Sequence, residues 1–281
     1  MSVKIITDST AYIPSDLITN FDISTVSLIV NFDNDSFREV DISNETFYKK
    51  IDASNIFPTS SQPTPQDFYD VFAKHVISGD PVIGIFISSK LSGTYFSAVK
   101  AKEMILKKYP NANIHIIDSG TTCMQLGLAV IAAAQSSASG AAVNEIIKKT
   151  NNTLKNSRFF FTPKTLEYLK KGGRIGQASA LIGSVLKIRP ILTIKDGSVA
   201  VFSKVRTQKK AIKTILDTLF SDADKYDLQE VVVHHINAKS QADELERLIK
   251  DRIDAPVATC SIGPVIGLHV GPGAIGIAYC F

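Results

Sequence analysis

The sequence predicts an α/β protein of two domains, the first built on a parallel sheet and the second on a mixed one. Three observations predict it. Short β-branched runs alternate with helical periodicity through residues 1–155. Two of those runs, Val82–Ser88 and Ile114–Asp118, read as strands buried on both faces, as strands of a parallel sheet are when crossover helices cover it on either side. Beyond Asn156, strand pairs enter around the two-residue turn Asp196-Gly197, a strong hairpin signal.

In order, Val3–Thr7 and Thr25–Val30 read as strands, and Pro65–Ile77, Gly93–Lys108 and Cys123–Ser137 as helices. Asn144–Leu154 reads as a further helix, with Asn151, Asn152, Asn156 and Ser157 marking a boundary between domains 1–155 and 156–281. A strand at Phe159–Phe161, a helix from Lys164 and the glycine-rich stretch Gly172–Gly176 follow. The strands Ile191–Ile194 and Val199–Phe202 flank the hairpin turn. A helix at Gln208–Phe220, a strand at Glu230–His234, a helix at Gln241–Arg252 and two closing strands complete the chain.

Composition narrows the function. Hydrophobic residues make up 44% and charged ones 21% of 281 residues, the balance of a globular protein with a full core. The formal charge is +4, with 31 basic residues spread among 27 acidic ones, so no nucleic-acid stripe is expected. The opening MSVKIITDST turns polar too soon for a signal peptide, and Leu126–Ala134 is about half of what a spanning helix needs. A cytoplasmic protein without stable membrane insertion is expected. Cys123, Cys260 and Cys280 lie far apart with no CxxC pair, which argues against a disulfide framework or zinc ribbon.

Polar loops at the carboxyl ends of parallel strands are where α/β proteins hold ligands. Asp8-Ser9-Thr10, Ser88 to Thr94 and Asp118 to Thr121 are such loops; the last two open helices, and the free N–H groups at the Ser88 to Thr94 loop suit an anion. Read plainly, Ser92, Thr94, Ser119 and Thr121 are helix N-caps. Thr59 to Pro65 is a second hydroxyl cluster, in which Thr64 caps the helix that Pro65 opens. Lys170 to Gly176 adds Arg174, a guanidinium able to grip a carboxylate or phosphate, or equally an ordinary surface arginine. His269 stands between apolar residues and glycines, a setting more often structural than catalytic. His234 and His235 point to opposite faces of a strand, which makes a shared metal ion improbable. No GxSxG elbow, Walker A motif or GxGxxG fingerprint is present.

Taken together these segments resemble the DegV family of fatty-acid-binding proteins. The resemblance runs through Lys4 to Pro14, Thr59 to Pro65, Ile87 to Ser97, Asp118-Ser119 with Gly127, Phe161 to Gly176, Lys187 to Val205 and Gly267 to Gly273. It departs where Ser60-Ser61-Gln62-Pro63 replaces the family's Thr-Ser-Gln-Pro, a change that keeps a hydroxyl. The resemblance implies a DegV-like fold with the ligand between the domains. Hydroxyl-rich loops of the first domain would hold the carboxylate of a long-chain fatty acid, and the second domain would form the acyl tunnel. By motif alignment the ligand-binding residues are Ser60, Ser61, Ser92, Gly93, Thr94, Arg174 and His269. Ile182, Val185, Leu186, Ile188 and Ile191 could line the tunnel, or simply build core.

The family acts as the lipid-binding subunit of a bacterial fatty acid kinase that feeds phospholipid metabolism. The chain is therefore expected to be no enzyme by itself, to need no metal or cofactor, to touch membranes only transiently, and to present its cargo to a separate ATP-dependent kinase. An enzyme alternative makes Ser60 or Ser92 the nucleophile of an esterase or acyltransferase with His269 as base. A third reading is a sugar- or phosphate-binding domain built on the glycine loops.

Overall fold

A computed structural model of the chain describes residues 2–32, 35–53, 57–182 and 188–281. The strands, in chain order, are β1 (Lys4–Asp8), β2 (Ser24–Val26), β3 (Ile29–Phe32), β4 (Asp35–Arg38), β5 (Thr59–Ser61), β6 (Val82–Phe86), β7 (Ile114–Asp118), β8 (Ser157–Thr162), β9 (Arg189–Lys195), β10 (Ser198–Val205), β11 (Glu230–His235), β12 (Val257–Ser261) and β13 (Ile275–Cys280). The helices are α1 (Ser15–Asn20), α2 (Asn44–Ala53), α3 (Pro65–Ile77), α4 (Thr94–Lys108), α5 (Cys123–Ala138), α6 (Val143–Lys155), α7 (Glu167–Lys171), α8 (Gln208–Ala223), α9 (Lys239–Lys250) and α10 (Pro264–Val270). None of the described helices is long and apolar enough to cross a membrane.

The chain folds as two compact units, Met1–Asp41 with Ser60–Lys155, and Ile42–Thr59 with Asn156–Phe281. The segment Ile42–Thr59 therefore does not belong with the first 155 residues, as a single boundary would have it. Side chains of α2 explain its place. Phe47 and Tyr48 are buried, the Tyr48 hydroxyl sits where a Cβ on Gly267 would stand, and the Asn44 amide donates to Ser261 Oγ at 2.9 Å and to the Ile262 carbonyl at 3.2 Å.

The first unit carries a four-stranded, all-parallel sheet in the order β2-β1-β6-β7. Alternate residues of its strands face opposite layers. Ile6, Val82 and Phe86 pack with Phe68 and Phe72 of α3 and with Ala98, Ala101 and Ile105 of α4. All five residues of β6 are buried, as expected for a strand covered on both faces. A small second sheet has the order β4-β3-β5.

The single strand expected over Thr25–Val30 is instead split between these two sheets. The break falls at Ser27 and Leu28, where the Leu28 backbone groups are taken by other partners. Leu28 N–H donates to Ser9 Oγ at 3.1 Å, and its carbonyl accepts from Glu39 N–H at 2.8 Å and from the Ser27 hydroxyl at 2.9 Å.

The second unit is built on a six-stranded sheet in the order β10-β9-β8-β13-β11-β12. Only the β11/β12 pair is parallel; the other four neighbours are antiparallel. Asp196 and Gly197, with φ of 51° and 78°, form the tight turn between β9 and β10. One face of this sheet packs against α8 and α9 through Phe160, Ile191, Ile215, Leu219, Leu245 and Ile277. Ile191 thus lies in the core against α8. Ile182 is exposed and Ile188 half-buried, both along an open cleft of about 660 Å³, while Val185 and Leu186 lie outside the described residues.

Two local expectations change here. The helix expected from Lys164 is only the single turn or so of α7, because Thr165 Oγ1 accepts the Glu167 N–H at 3.2 Å and holds the preceding residues in a turn. The two closing strands are present, but α10 lies between them, opened by Pro264 and ended by Gly271 at φ +87°. His269 is therefore a helix residue. Glycine and proline masked a seven-residue helix held by its buried apolar face.

Candidate functional site

In the first unit the expected hydroxyl loops meet at the carboxyl ends of β1 and β6. Asp8 ties them together. Its Oδ1 accepts from the Thr10 N–H at 2.9 Å and the Thr10 hydroxyl at 2.5 Å, and its Oδ2 accepts from the Ile87 N–H at 2.7 Å. Burial raises its pKa above the usual carboxylate range in spite of those three bonds. Ile87 is the residue before Ser88, so this carboxyl fixes where the serine-rich loop leaves the sheet.

Within that loop Ser92 and Thr94 face each other, with their hydroxyl oxygens 2.8 Å apart. Ser92 Oγ also accepts the Thr94 N–H at 3.3 Å. Gly93 occupies the cap position of α4 and provides no side-chain cap, so Ser92 and Thr94 are not N-caps in the expected sense. The Ser119 and Thr121 hydroxyls are likewise engaged with the Thr121 carbonyl and with Gln125, while Thr122 takes the cap position of α5.

The second hydroxyl cluster is anchored to this loop. A Cβ at Gly93 would overlap the Gln62 carboxamide, so only glycine lets the two segments come so close. Gln62 Nε2 lies 3.2 Å from Ser97 Oγ, and Asn31 Nδ2 donates to Ser61 Oγ at 2.8 Å. Ser61 is exposed, whereas Ser60 and Ser92 are half-buried. Thr64 caps α3 as expected, in a full capping box with Asp67. Ser60, Ser61, Ser92, Gly93 and Thr94 thus belong to one neighbourhood of the first unit.

Arg174 and His269 belong to the second unit, and the fold brings them together there. His269 is buried on α10, and Gly172 packs so closely that a Cβ would collide with its Nδ1. Arg174 Nη1 donates to the Gly172 carbonyl at 2.7 Å, which curls the guanidinium back toward the same turn. Burial, and then the Arg174 charge, push the His269 pKa down to about 4, so the imidazole is neutral at physiological pH. Gly172→Ala is accordingly expected to destabilise the protein by about 1–3 kcal/mol in urea unfolding and to displace the His269 ring. A variant as stable as the wild type with unshifted His269 ring resonances would show that the contact is slack.

Sequence reading passed over two polar groups of the first unit. Gln62 has no ionisable group to draw notice. Glu39, in a charged stretch that reads as surface, is buried and accepts from the Ser9 hydroxyl at 2.5 Å and the Tyr12 hydroxyl at 2.8 Å. Among the described residues no three His, Cys, Asp or Glu side chains are grouped as metal ligands. His234 and His235 do lie on opposite faces of β11. His235 faces the side of Val231 and Val233, and the His234 ring packs edge-on against Phe159 with centroids 5.2 Å apart.

In the first unit, donor-rich loops surround half-buried hydroxyls and could hold an anion; in the second, a neutral imidazole lies beside a guanidinium. A DegV domain-containing protein of Clostridium acetobutylicum is 50% identical over 99% of this chain and 98% of its own length. The crystal structure of DegV, a fatty acid binding protein from Bacillus subtilis, shares 34% identity and a TM-score of 0.91 over 100% of this chain and 99% of that one. A stearic acid-binding protein from Eubacterium ventriosum shares 29% identity and a TM-score of 0.90 over 99% and 98%. The family model for DegV matches residues 2–281, and the chain belongs to the DegV family.

Proposed function

We propose that this protein binds one long-chain fatty acid and presents its carboxylate to a separate ATP-dependent kinase, which converts it to an acyl phosphate. The observation that carries the reading is the end-to-end likeness to DegV of Bacillus subtilis and to a protein of Eubacterium ventriosum, both described as binding fatty acids. The residues assigned to the head group are Ser60, Ser61, Ser92, Gly93 and Thr94 of the first unit, and Arg174 and His269 of the second. The site acts in a cytoplasmic carrier that meets membranes only in passing.

The chemistry of the loops favours holding over hydrolysis. The hydroxyl beside Ser92 Oγ is that of Thr94, which cannot serve as a general base near neutral pH. His269, with its pKa near 4, is a weak proton acceptor but a good neutral donor. Each buried methylene of the chain would add roughly 0.8 kcal/mol to retention, reduced by the ordering that binding imposes.

Native mass spectrometry of the purified protein, followed by denaturing lipid extraction, tests the carrier. One fatty acid per chain is expected. Protein that arrives empty and takes up no added fatty acid would remove the function. Incubating the loaded protein with magnesium ATP tests the second half: acyl phosphate should form only after the kinase is added. Product made by the chain alone would overturn that part.

A further inference from the structure

A polar cleft of about 530 Å³ lies wholly within the second unit, where β11 ends and α9 begins. Lys164, Arg189, Gln208, Asn237, Ser240 and Gln241 line it, and neither Arg174 nor His269 does. Lys164, Arg189 and Gln208 also line the neighbouring cleft of about 660 Å³, so these three form a wall common to both. The six side chains are an ammonium, a guanidinium, three amides and a hydroxyl, all able to donate. Glu167 is the one carboxylate lining either cleft among the described residues.

Lys164 is exposed and Arg189 half-buried, and both are tethered at the cleft wall. The Arg189 guanidinium donates to the Lys164 carbonyl, and the Lys164 stem runs along Gly273, where an added Cβ would stand 3.3 Å from its Cδ. Among the described residues neither cation pairs with a carboxylate. Lys239, by contrast, is neutralised by Asp243 at 2.8 Å. The cleft also opens on the amino end of α9, which follows a parallel strand and is capped by Ala238, with no side chain closing it. That is the position at which α/β units commonly accept anions.

We propose that this cleft is a binding site for a phosphoryl group, carried either by a soluble phosphorylated molecule or by a lipid headgroup. A phosphoryl group has three peripheral oxygens and up to two charges, so it can accept from the Arg189 fork, the Lys164 ammonium and the amides together. A carboxylate would satisfy fewer of them. The site is independent of the fatty-acid reading and does not share its residues.

Two arms identify the source. Pyrophosphate binding is measured by calorimetry, and sedimentation is compared with vesicles of phosphatidylglycerol and of phosphatidylcholine. The variants are Lys164→Ala with Arg189→Ala, and Ser240→Glu, which places an acid in the first turn of α9, where it favours the helix but opposes an anion. Lys148→Ala with Lys149→Ala on α6 removes equal charge elsewhere as a control. A drop of at least 10-fold in both cleft variants, with the control unchanged, is expected. Loss confined to the calorimetric arm assigns a soluble ligand, and loss confined to phosphatidylglycerol vesicles assigns a headgroup. Absence of binding in both arms, or equal loss in the control, overturns the site.

Discussion

Replacing Ser60 and Ser92 together with alanine is expected to weaken fatty-acid binding by about 100-fold or more, with little change in stability. A hydrogen bond to a charged group contributes about 1.5–3 kcal/mol, and two such bonds lost from one carboxylate multiply to at least that factor. The stability effect should stay near 1 kcal/mol, because both side chains are only half-buried and Ser92 gives up its bond to a neighbouring loop hydroxyl. Ser61→Ala is the internal comparison. That hydroxyl is exposed and already accepts from Asn31, so its single removal should cost less than the double variant, about 3- to 10-fold. Displacement of a fluorescent fatty acid reads both effects. Near-normal affinity in the double variant would mean that the hydroxyls do not hold the head group, even if lipid still copurifies.

How much of this was legible in the sequence depends on where each element finds its partners. β6, α3, α4, α5 and α6 read correctly because burial on both faces, a capping box and helical periodicity are local signals. The Asp196-Gly197 turn is legible for the same reason, since only its own φ angles decide it. The split at Ser27 and Leu28 was not, because the bonds that divert the backbone come from Ser9 and Glu39. Nor was the transfer of Ile42–Thr59 to the second unit, which depends on Asn44 meeting Ser261 across 217 positions. Ile191 shows the limit of periodicity. Alternation places a residue on one face of a strand, but it does not tell which face meets α8 and which faces elsewhere. Arg174 and His269 were legible as candidates through their glycines, whose small size is what permits the contact at Gly172.

Acidification should destabilise the fold from about pH 6.5 downward, with a slope of about 1 kcal/mol per pH unit for each deeply buried histidine. All five histidines have pKa values pushed below 6.5, chiefly by burial. His234 and His269 are moved furthest, to about 3 and about 4. Below 6.5 the unfolded chain takes up these protons and the folded chain does not, so stability present above that pH is lost as pH falls toward 4 and 3. Asp8 works in the opposite sense. Its raised pKa keeps a proton on the folded form, so its contribution is full below the unfolded value of 3.8 and disappears as pH rises through the raised value. Below pH 6.5 the histidines therefore lower stability as pH falls, and Asp8 offsets part of that loss over the range below its raised pKa. Urea unfolding at pH 7.5, 6.5, 5.5 and 4.5 measures the slope. His234→Phe keeps a ring against Phe159 while removing both ring nitrogens, neither of which has a hydrogen-bond partner among the described residues. That variant should flatten the pH dependence by about one histidine's share. An unaltered slope would mean that His234 can take up a proton without unfolding, through an opening of the sheet face it shares with Phe159.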